Sequence, residues 1–470
     1  MMRSGMRRLA WLAGSAMLLA PGAALAAGGV PDSALSLAWG VPFVGILLSI
    51  ALLPLVAAPV WHHHYGKIAA GWGAAFLLPF GLAFGPGAAW YEFTHVAVLE
   101  YIPFIALITA LYTAGGGVLL RGSLVGTPTV NLTLLAIGTV LASLMGTTGA
   151  AMVLIRPVIR ANAFRKRKMH TFVFFIFLVA NIGGSLTPVG DPPLYLGFLR
   201  GVSFFWPTTH MFGEFLTCAV ILLALYWVLD TLAWRREKPV APAGTGEKLA
   251  IEGWLNVGLL GAIVAVVIAM GYVKLGAVSI LGHTMPLENA LGVLAFGAIT
   301  LVSVFATSKA LREANGFAWG AILEVAKLFA AIFLTMAPVL AILRAGKDGA
   351  AAGLVALTSD ASGAPIPWVY FWLAGALSSF LDNAPTYIVF FELAGGDAQV
   401  LMGQGALTLA AISCGAVFMG ANSYIGNAPN FMVKAIVEEN GERMPSFFGY
   451  CAWAACILVP LFVLVTFIFF

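Results

Sequence analysis

The chain has 470 residues, 61% hydrophobic and 9% charged, with a net charge of +4 and a mean hydropathy of +0.97. Soluble domains carry roughly 25% charged residues, so these proportions exclude an ordinary soluble enzyme and place the chain in lipid. The small basic excess sits beside apolar segments and reports orientation rather than nucleic-acid binding.

Apolar stretches of about 20 residues recur, each long enough to cross a hydrocarbon core of about 30 Å. No alternating strands of barrel type occur, so the fold is helical. At the start, Arg3, Arg7 and Arg8 precede an apolar run from Leu9 to Leu19, followed by Ala24-Leu25-Ala26. That is the pattern of a signal peptide over residues 1–26; an uncleaved first helix is the alternative. Either way the next residues lie outside the cytoplasm.

The N-terminal spans occupy residues 27–95. A first span from about Leu35 to Val60 ends at Trp61-His62-His63-His64-Tyr65-Gly66-Lys67, which reads as a cytoplasmic interfacial loop rather than a metal site. A second runs to about Ala88, and a third from about Val96 to Leu120 returns to Arg121. The cysteines Cys218, Cys414, Cys451 and Cys456 are scattered through apolar segments and read as small core residues.

The pattern then changes. Residues 127–160 form one apolar stretch interrupted at Gly146-Thr147-Thr148-Gly149, with Arg121 before it and Arg156, Arg160, Arg165, Lys166, Arg167 and Lys168 after it. Basic residues at both ends put both ends in the cytoplasm, which predicts a re-entrant hairpin. The next segment, 169–199, contains Asn181 and Gly183-Gly184-Ser185-Leu186-Thr187-Pro188-Val189-Gly190-Asp191-Pro192-Pro193. Its prolines and glycines predict a broken helix.

A further span from about Phe204 to Ala233 leads into a cytoplasmic linker over 235–250, followed by connecting spans over 251–320. Within and beyond these lie spans from about Leu255 to Tyr272, Leu287 to Ala306 and Ala326 to Leu343. The first pattern then returns: 366–394 is interrupted at Asp382-Asn383-Ala384-Pro385-Thr386, and 406–437 at Gly420 to Asn430, which includes Asn422, Ser423 and Asn427.

Setting Thr147 against Asp382 gives an offset of 382 − 147 = 235, and setting Gly190 against Gly426 gives 426 − 190 = 236. The two irregularities therefore recur together, in repeats spanning 96–234 and 321–470. The loop after the first hairpin is basic, whereas the matching loop from Ala394 to Gly405 holds no Lys or Arg, so the second copy is inverted. Paired interrupted segments in inverted halves point to a transport site near the midplane.

The breaks carry hard oxygen donors suited to a cation such as sodium: Thr147, Thr148 and Thr187 in the first half, Asn383, Thr386, Asn422 and Asn427 in the second. They also carry two acids, Asp191 and Asp382, and an acid inside a membrane is a functional candidate by default. Asp382, Asn383 and Asp191 are the candidate sodium ligands. Capping of the following half-helices is the competing role for both acids. Glu100 and Glu324 open the helices before the hairpins and read as interfacial or transport residues. Arg156 and Arg160 read as snorkelling anchors, and His95, His170, His210 and His283 as interfacial.

The strings Gly183 to Pro193 and Leu381-Asp382-Asn383-Ala384-Pro385-Thr386, in this order and spacing, resemble the ion transporter superfamily, and within it the bacterial sodium:proton antiporter and citrate transporter group. The resemblance spans nearly the whole chain after the signal segment. It implies a homodimer in which the hairpins and broken helices move together, elevator fashion, against a scaffold. Dicarboxylate carriers of the superfamily have Ser-Asn-Thr at both hairpin tips; Gly146-Thr147-Thr148 and Asp382-Asn383-Ala384 depart from that.

The expectation is thus an all-α polytopic protein of the bacterial inner membrane with about 10–11 transmembrane helices, two re-entrant hairpins and two broken helices. It is expected to exchange sodium for protons, or alternatively to carry citrate or a related organic anion with sodium, using no cofactor and no catalytic residue. An aspartyl-protease reading of Asp191 and Asp382 fails on motif, since Pro188 stands where such proteases carry glycine.

Overall fold

The computed structural model describes residues 35–240 and 248–470, so the expected signal peptide and the middle of the linker lie outside the described residues. The chain opens with helices α1 (Val41–Val56), α2 (Ala58–Phe84) and α3 (Pro86–His95). A π-helical turn, Val96–Tyr101, carries α3 into α4 (Ile102–Gly115). Then come α5 (Pro128–Met145), α6 (Thr147–Ala161), α7 (Met169–Leu178), α8 (Pro192–Leu199) and α9 (Phe212–Glu237). Beyond the linker lie α10 (Trp254–Tyr272), α11 (Leu287–Ala306), α12 (Trp319–Arg344), α13 (Pro367–Phe380), α14 (Asn383–Leu393), α15 (Ala406–Met419), α16 (Ala428–Glu439) and α17 (Phe447–Phe469).

Among the described residues, ten helical stretches are long and apolar enough to cross a membrane. The protein is therefore a helical multi-pass membrane protein. Among the described residues, strand is confined to two small antiparallel ribbons: β1 (Leu119–Arg121) with β2 (Ala250–Glu252), and β3 (Ala277–Ile280) with β4 (His283–Pro286). The first ribbon carries an Arg121–Glu252 ion pair at 2.7 Å.

Several boundaries differ from expectation for local reasons. The first span stops at Ala57, because Pro59 suits the first turn of a new helix. His62, His63 and His64 consequently sit exposed on α2 instead of in a loop. The third span starts ten residues early, since Gly85 adopts a φ of +94° and Pro86 begins the next helix. Helix α12 likewise begins at Trp319 rather than near Ala326.

The interrupted segments break where glycine, proline and acid allow it. Helices α5 and α6 are separated by Gly146 alone, at a φ of +80° that a side chain would strain. Helices α13 and α14 part at Leu381-Asp382, where the Asp382 carboxylate accepts the Ala384 N–H at 3.0 Å and caps the second helix. Between α7 and α8 runs a 3₁₀ turn, Ile182–Leu186, and between α15 and α16 another, Gly420–Asn422. Prolines in the first turns of α8 and α16 restart both helices.

Hydrogen bonds around these breaks recur in step. Thr187 donates its hydroxyl to the Ser143 carbonyl and Ser423 donates to the Ser379 carbonyl, each 44 residues back. The Ser143 hydroxyl reaches the Gly183 carbonyl at 2.5 Å, and the Ser379 hydroxyl reaches the Met419 carbonyl at 3.2 Å, each 40 residues on. The stretch Met169–Leu186 is 89% buried inside the protein, against 17% for Leu287–Ala306. The broken backbone is thus the part best shielded from lipid, as irregular structure at membrane depth requires.

Gly190 and Gly426 pack directly on the carbonyls of Gly184 and Gly420 across the two breaks. Gly190→Ala and Gly426→Ala should each cost about 1–3 kcal/mol through overpacking, whereas Gly258→Ala, inside α10 with nothing for the new methyl to meet, should stabilise by up to about 1 kcal/mol. Thermal unfolding of detergent-purified variants measures this: both break variants should melt lower than Gly258→Ala.

Candidate functional site

Asp191 is the last residue before α8, in extended backbone, and only 1% exposed. Its carboxylate makes no capping bond to its own helix. It is drawn across the molecule instead. One oxygen accepts from the Thr147 hydroxyl at 3.0 Å and from the Asn427 side-chain amide at 3.3 Å; the other accepts from the Asn383 amide at 2.5 Å.

Each donor stands at a helix start. Thr147 opens α6, Asn383 opens α14 and Asn427 immediately precedes α16. Four helix N-termini, α8 included, therefore gather around one carboxylate, and each presents a partial positive charge of about half a unit. These donors and dipoles offset part of the cost of burying the charge.

The two breaks are tied by an asparagine relay. Asn427 also donates to the Ala180 carbonyl at 3.1 Å and the Asn181 side-chain oxygen at 3.3 Å. Asn181 donates to the Asn430 side chain at 2.7 Å, and Asn430 donates to the carbonyls of Gly420 and Ser423, both at 2.8 Å. At the breaks, two buried amide oxygens among the described residues, on Asn383 and Asn422, have no hydrogen-bond partner. An amide oxygen left bare in the interior costs about 1–3 kcal/mol unless something binds it.

Asp191 also faces a cavity. Its apolar wall comes from α4 and α12, through Phe104, Leu107, Val325 and Phe329. The opposite wall holds Thr147, Thr148, Asp191, Asp382 and Asn427. No Lys, Arg or His lines it, so its charged groups are the two carboxylates.

Of the residues expected at the site, Thr147, Asp191, Asn383 and Asn427 meet in one hydrogen-bonded cluster, and Thr148 and Asp382 line the cavity beside it. Thr187 is spent on the Ser143 carbonyl, and Thr386 donates to the Asp382 carbonyl at 2.9 Å. Asn422 donates to the Ser379 hydroxyl at 2.9 Å and lies off the cavity.

Elsewhere, sequence reasoning missed a buried pair. Arg165 and Asp230 meet at 2.5 Å with both side chains 0% exposed, joined by His170 at 2.8 Å and Tyr226 at 3.1 Å. His170 and His283 are accordingly buried rather than interfacial, His283 bonding Thr94 at 2.8 Å. Arg156 does not snorkel freely either, since one of its terminal nitrogens is buried without a partner. Among the described residues no three His, Cys, Asp or Glu side chains cluster to hold a metal ion.

Ten apolar spans around a buried, acid-bearing cavity make this a multi-pass membrane protein of transporter type. The chain belongs to the family described as "Putative citrate transport", whose model matches residues 32–470. No curated protein matches it.

Asn383→Ala should leave one buried oxygen of Asp191 without its donor, at a cost of about 1–3 kcal/mol. The expected outcome is a lower melting temperature than Thr148→Ala, whose hydroxyl bonds neither acid. Equal melting of the two would show that the Asn383 bond contributes nothing to the fold.

Proposed function

We propose that the protein is a secondary transporter of the bacterial inner membrane that exchanges sodium ions for protons at the Asp191–Asp382 cavity. The observation that carries this reading is charge: a cavity with two carboxylates and no basic side chain suits a cation. The Thr147 and Thr148 side chains and the Asn427 amide on the same wall add hard, neutral oxygen donors. A carboxylate that holds sodium in one state and a proton in another couples the two flows, because both compete for the same charge.

The hydrogen bonds that recur across the breaks support an inverted repeat with a register of 236, the separation of Asp191 from Asn427. In that register Thr147 corresponds to Asn383, so the cluster on Asp191 consists of two repeat-related pairs. Helix pairs α5–α6 and α13–α14 are then the two re-entrant hairpins, and the site lies where their tips meet the broken helices. The boundaries 96–234 and 321–470 suit the two repeats, and a homodimer with an elevator cycle suits this architecture.

A second reading, sodium-coupled citrate transport, is favoured by the family description and by the four helix N-termini. The cavity opens to solvent, and its volume of about 850 Å³ includes that opening, so size does not choose between the two cargoes. Charge does: two unit charges roughly 6 Å apart repel by about 3 kcal/mol at an effective dielectric of 20. A tricarboxylate therefore needs bound cations to neutralise the acids first.

Reconstitution into vesicles with an internal pH dye separates the two. External sodium should move protons, and Asp382→Asn should reduce that flux at least tenfold. Uptake of labelled citrate with no sodium-driven proton flux would sink the exchange reading and establish the second.

The elevator reading also assigns a role to an ion network remote from the cavity. Arg200, at the end of α8, bonds Glu100 at 3.1 Å and Glu392 at 3.4 Å, and Glu392 also faces Arg344 at 3.5 Å. Arg200 and Glu392 belong to the broken-helix and hairpin group, Glu100 and Arg344 to the α4 and α12 wall. The network is a latch between the two groups, closing the side opposite the Tyr112 and Met432 end of the cavity. Arg200→Ala should raise labelling of a Thr148→Cys variant by an impermeant thiol reagent from outside several-fold; unchanged labelling would remove the latch from the cycle.

A further inference from the structure

A second concavity, of about 550 Å³ including its open mouth, lies where the turn between α6 and α7 meets α9 and α17. It is lined by three consecutive cations, Lys166, Arg167 and Lys168, by His170, and by the apolar side chains of Leu229 and Trp453. The counter-charges around it are accounted for. Glu442 pairs with Lys168 at 2.6 Å, and His170 is held by Asp230. Glu237 accepts the backbone N–H groups of Lys166 and of Arg167, the latter at 3.0 Å. That bonding occupies the main chain of the turn and leaves the Lys166 and Arg167 side chains exposed, with no ion pair closer than 4.0 Å. Arg235, Arg236 and Lys238 follow at the end of α9, so the rim is basic beyond what Glu237 and Glu442 balance.

The apolar half of the pocket distinguishes what would occupy it. Trp453 is partly exposed on α17, a position where indole rings favour the boundary between headgroups and hydrocarbon. Leu232, one turn from Leu229 on α9, is 44% exposed, and Trp227 and Val228 are 49% and 48% exposed on the same helix. The pocket therefore continues onto a lipid-facing apolar surface. A free anion has no use for such a wall, whereas an anionic phospholipid needs both halves: cations for its phosphodiester and an apolar track for its chains. We propose that this pocket is a binding site for the headgroup of an anionic phospholipid from the leaflet that the basic turn faces.

The site rests on the membrane-spanning fold and not on the identity of the cargo, so it stands or falls apart from sodium exchange. The turn closes the base of the α5–α6 pair and starts α7, and a bound lipid would anchor that base to the bilayer.

Native mass spectrometry of the full-length protein, with phosphatidylglycerol and phosphatidylcholine of matched chains, tests this. The wild type should retain phosphatidylglycerol several-fold better. Lys166→Gln with Arg167→Gln should abolish the preference, Trp453→Ala should weaken phosphatidylglycerol retention, and inorganic phosphate should not displace the lipid. Equal retention of the two lipids by the wild type, or a preference that survives the double substitution, overturns the proposal. Displacement by phosphate together with no effect of Trp453→Ala also overturns it, in favour of a free-anion site. Both substituted side chains are exposed, so the double variant should melt with the wild type in phosphatidylcholine, which separates lost binding from lost folding.

Discussion

Breaking a helix inside a membrane frees backbone groups that no water is present to receive, and the rest of the site follows from how this chain satisfies them. The solution is to spend short polar side chains on carbonyls. Ser143 takes the Gly183 carbonyl while its own carbonyl is taken by Thr187; Ser379 and Ser423 do the same work at the second break. Asn181, Asn427, Asn430 and Tyr450 serve the carbonyls of Ile176, Ala180, Gly420 and Ala421. These bonds require close backbone approach, which is why Gly184, Gly190, Gly420 and Gly426 stand at the crossings. With them in place, the half-helix starts after both breaks meet at Asp191.

The inward convergence of N-termini creates a need of its own. Helix starts bring uncompensated N–H groups and positive partial charge into a site that is 99–100% closed to solvent at Thr147, Asp191, Asn383 and Asn427. A single carboxylate at Asp191 answers donors from three of the four elements. The group that answers these donors also lies on the wall of the neighbouring cavity.

Much of this was legible in the sequence, for identifiable reasons. Helices α10 and α11 fall within one residue of their expected spans because each is an unbroken apolar run between polar residues. The four interruptions were readable because only glycine, proline and capping acids break a helix so abruptly, and capping, the competing role read for both acids, is what Asp382 does for α14. Asp191 does not cap its helix: the carboxylate faces side chains 44, 192 and 236 residues away, which no local pattern encodes. Ser143 and the Arg165–Asp230 pair escaped notice for the same reason, since a lone serine in an apolar helix and two charges near span ends look ordinary until the packing joins them.

The two acids differ from what the fold alone demands. At the first hairpin tip a glycine with positive φ makes the turn that Asp382 makes by capping at the second, so a carboxylate is not required for such a tip. Asparagine, moreover, caps a helix about as well as aspartate. At the breaks, Asn427 occupies the position before α16 that Asp191 occupies before α8, with the same extended backbone, and an amide suffices there. In each pair a neutral residue builds equivalent local geometry. Local turn and cap geometry therefore does not call for a carboxylate at 191 or 382; at 191 the demand comes instead from donors that other elements bring to it across the molecule.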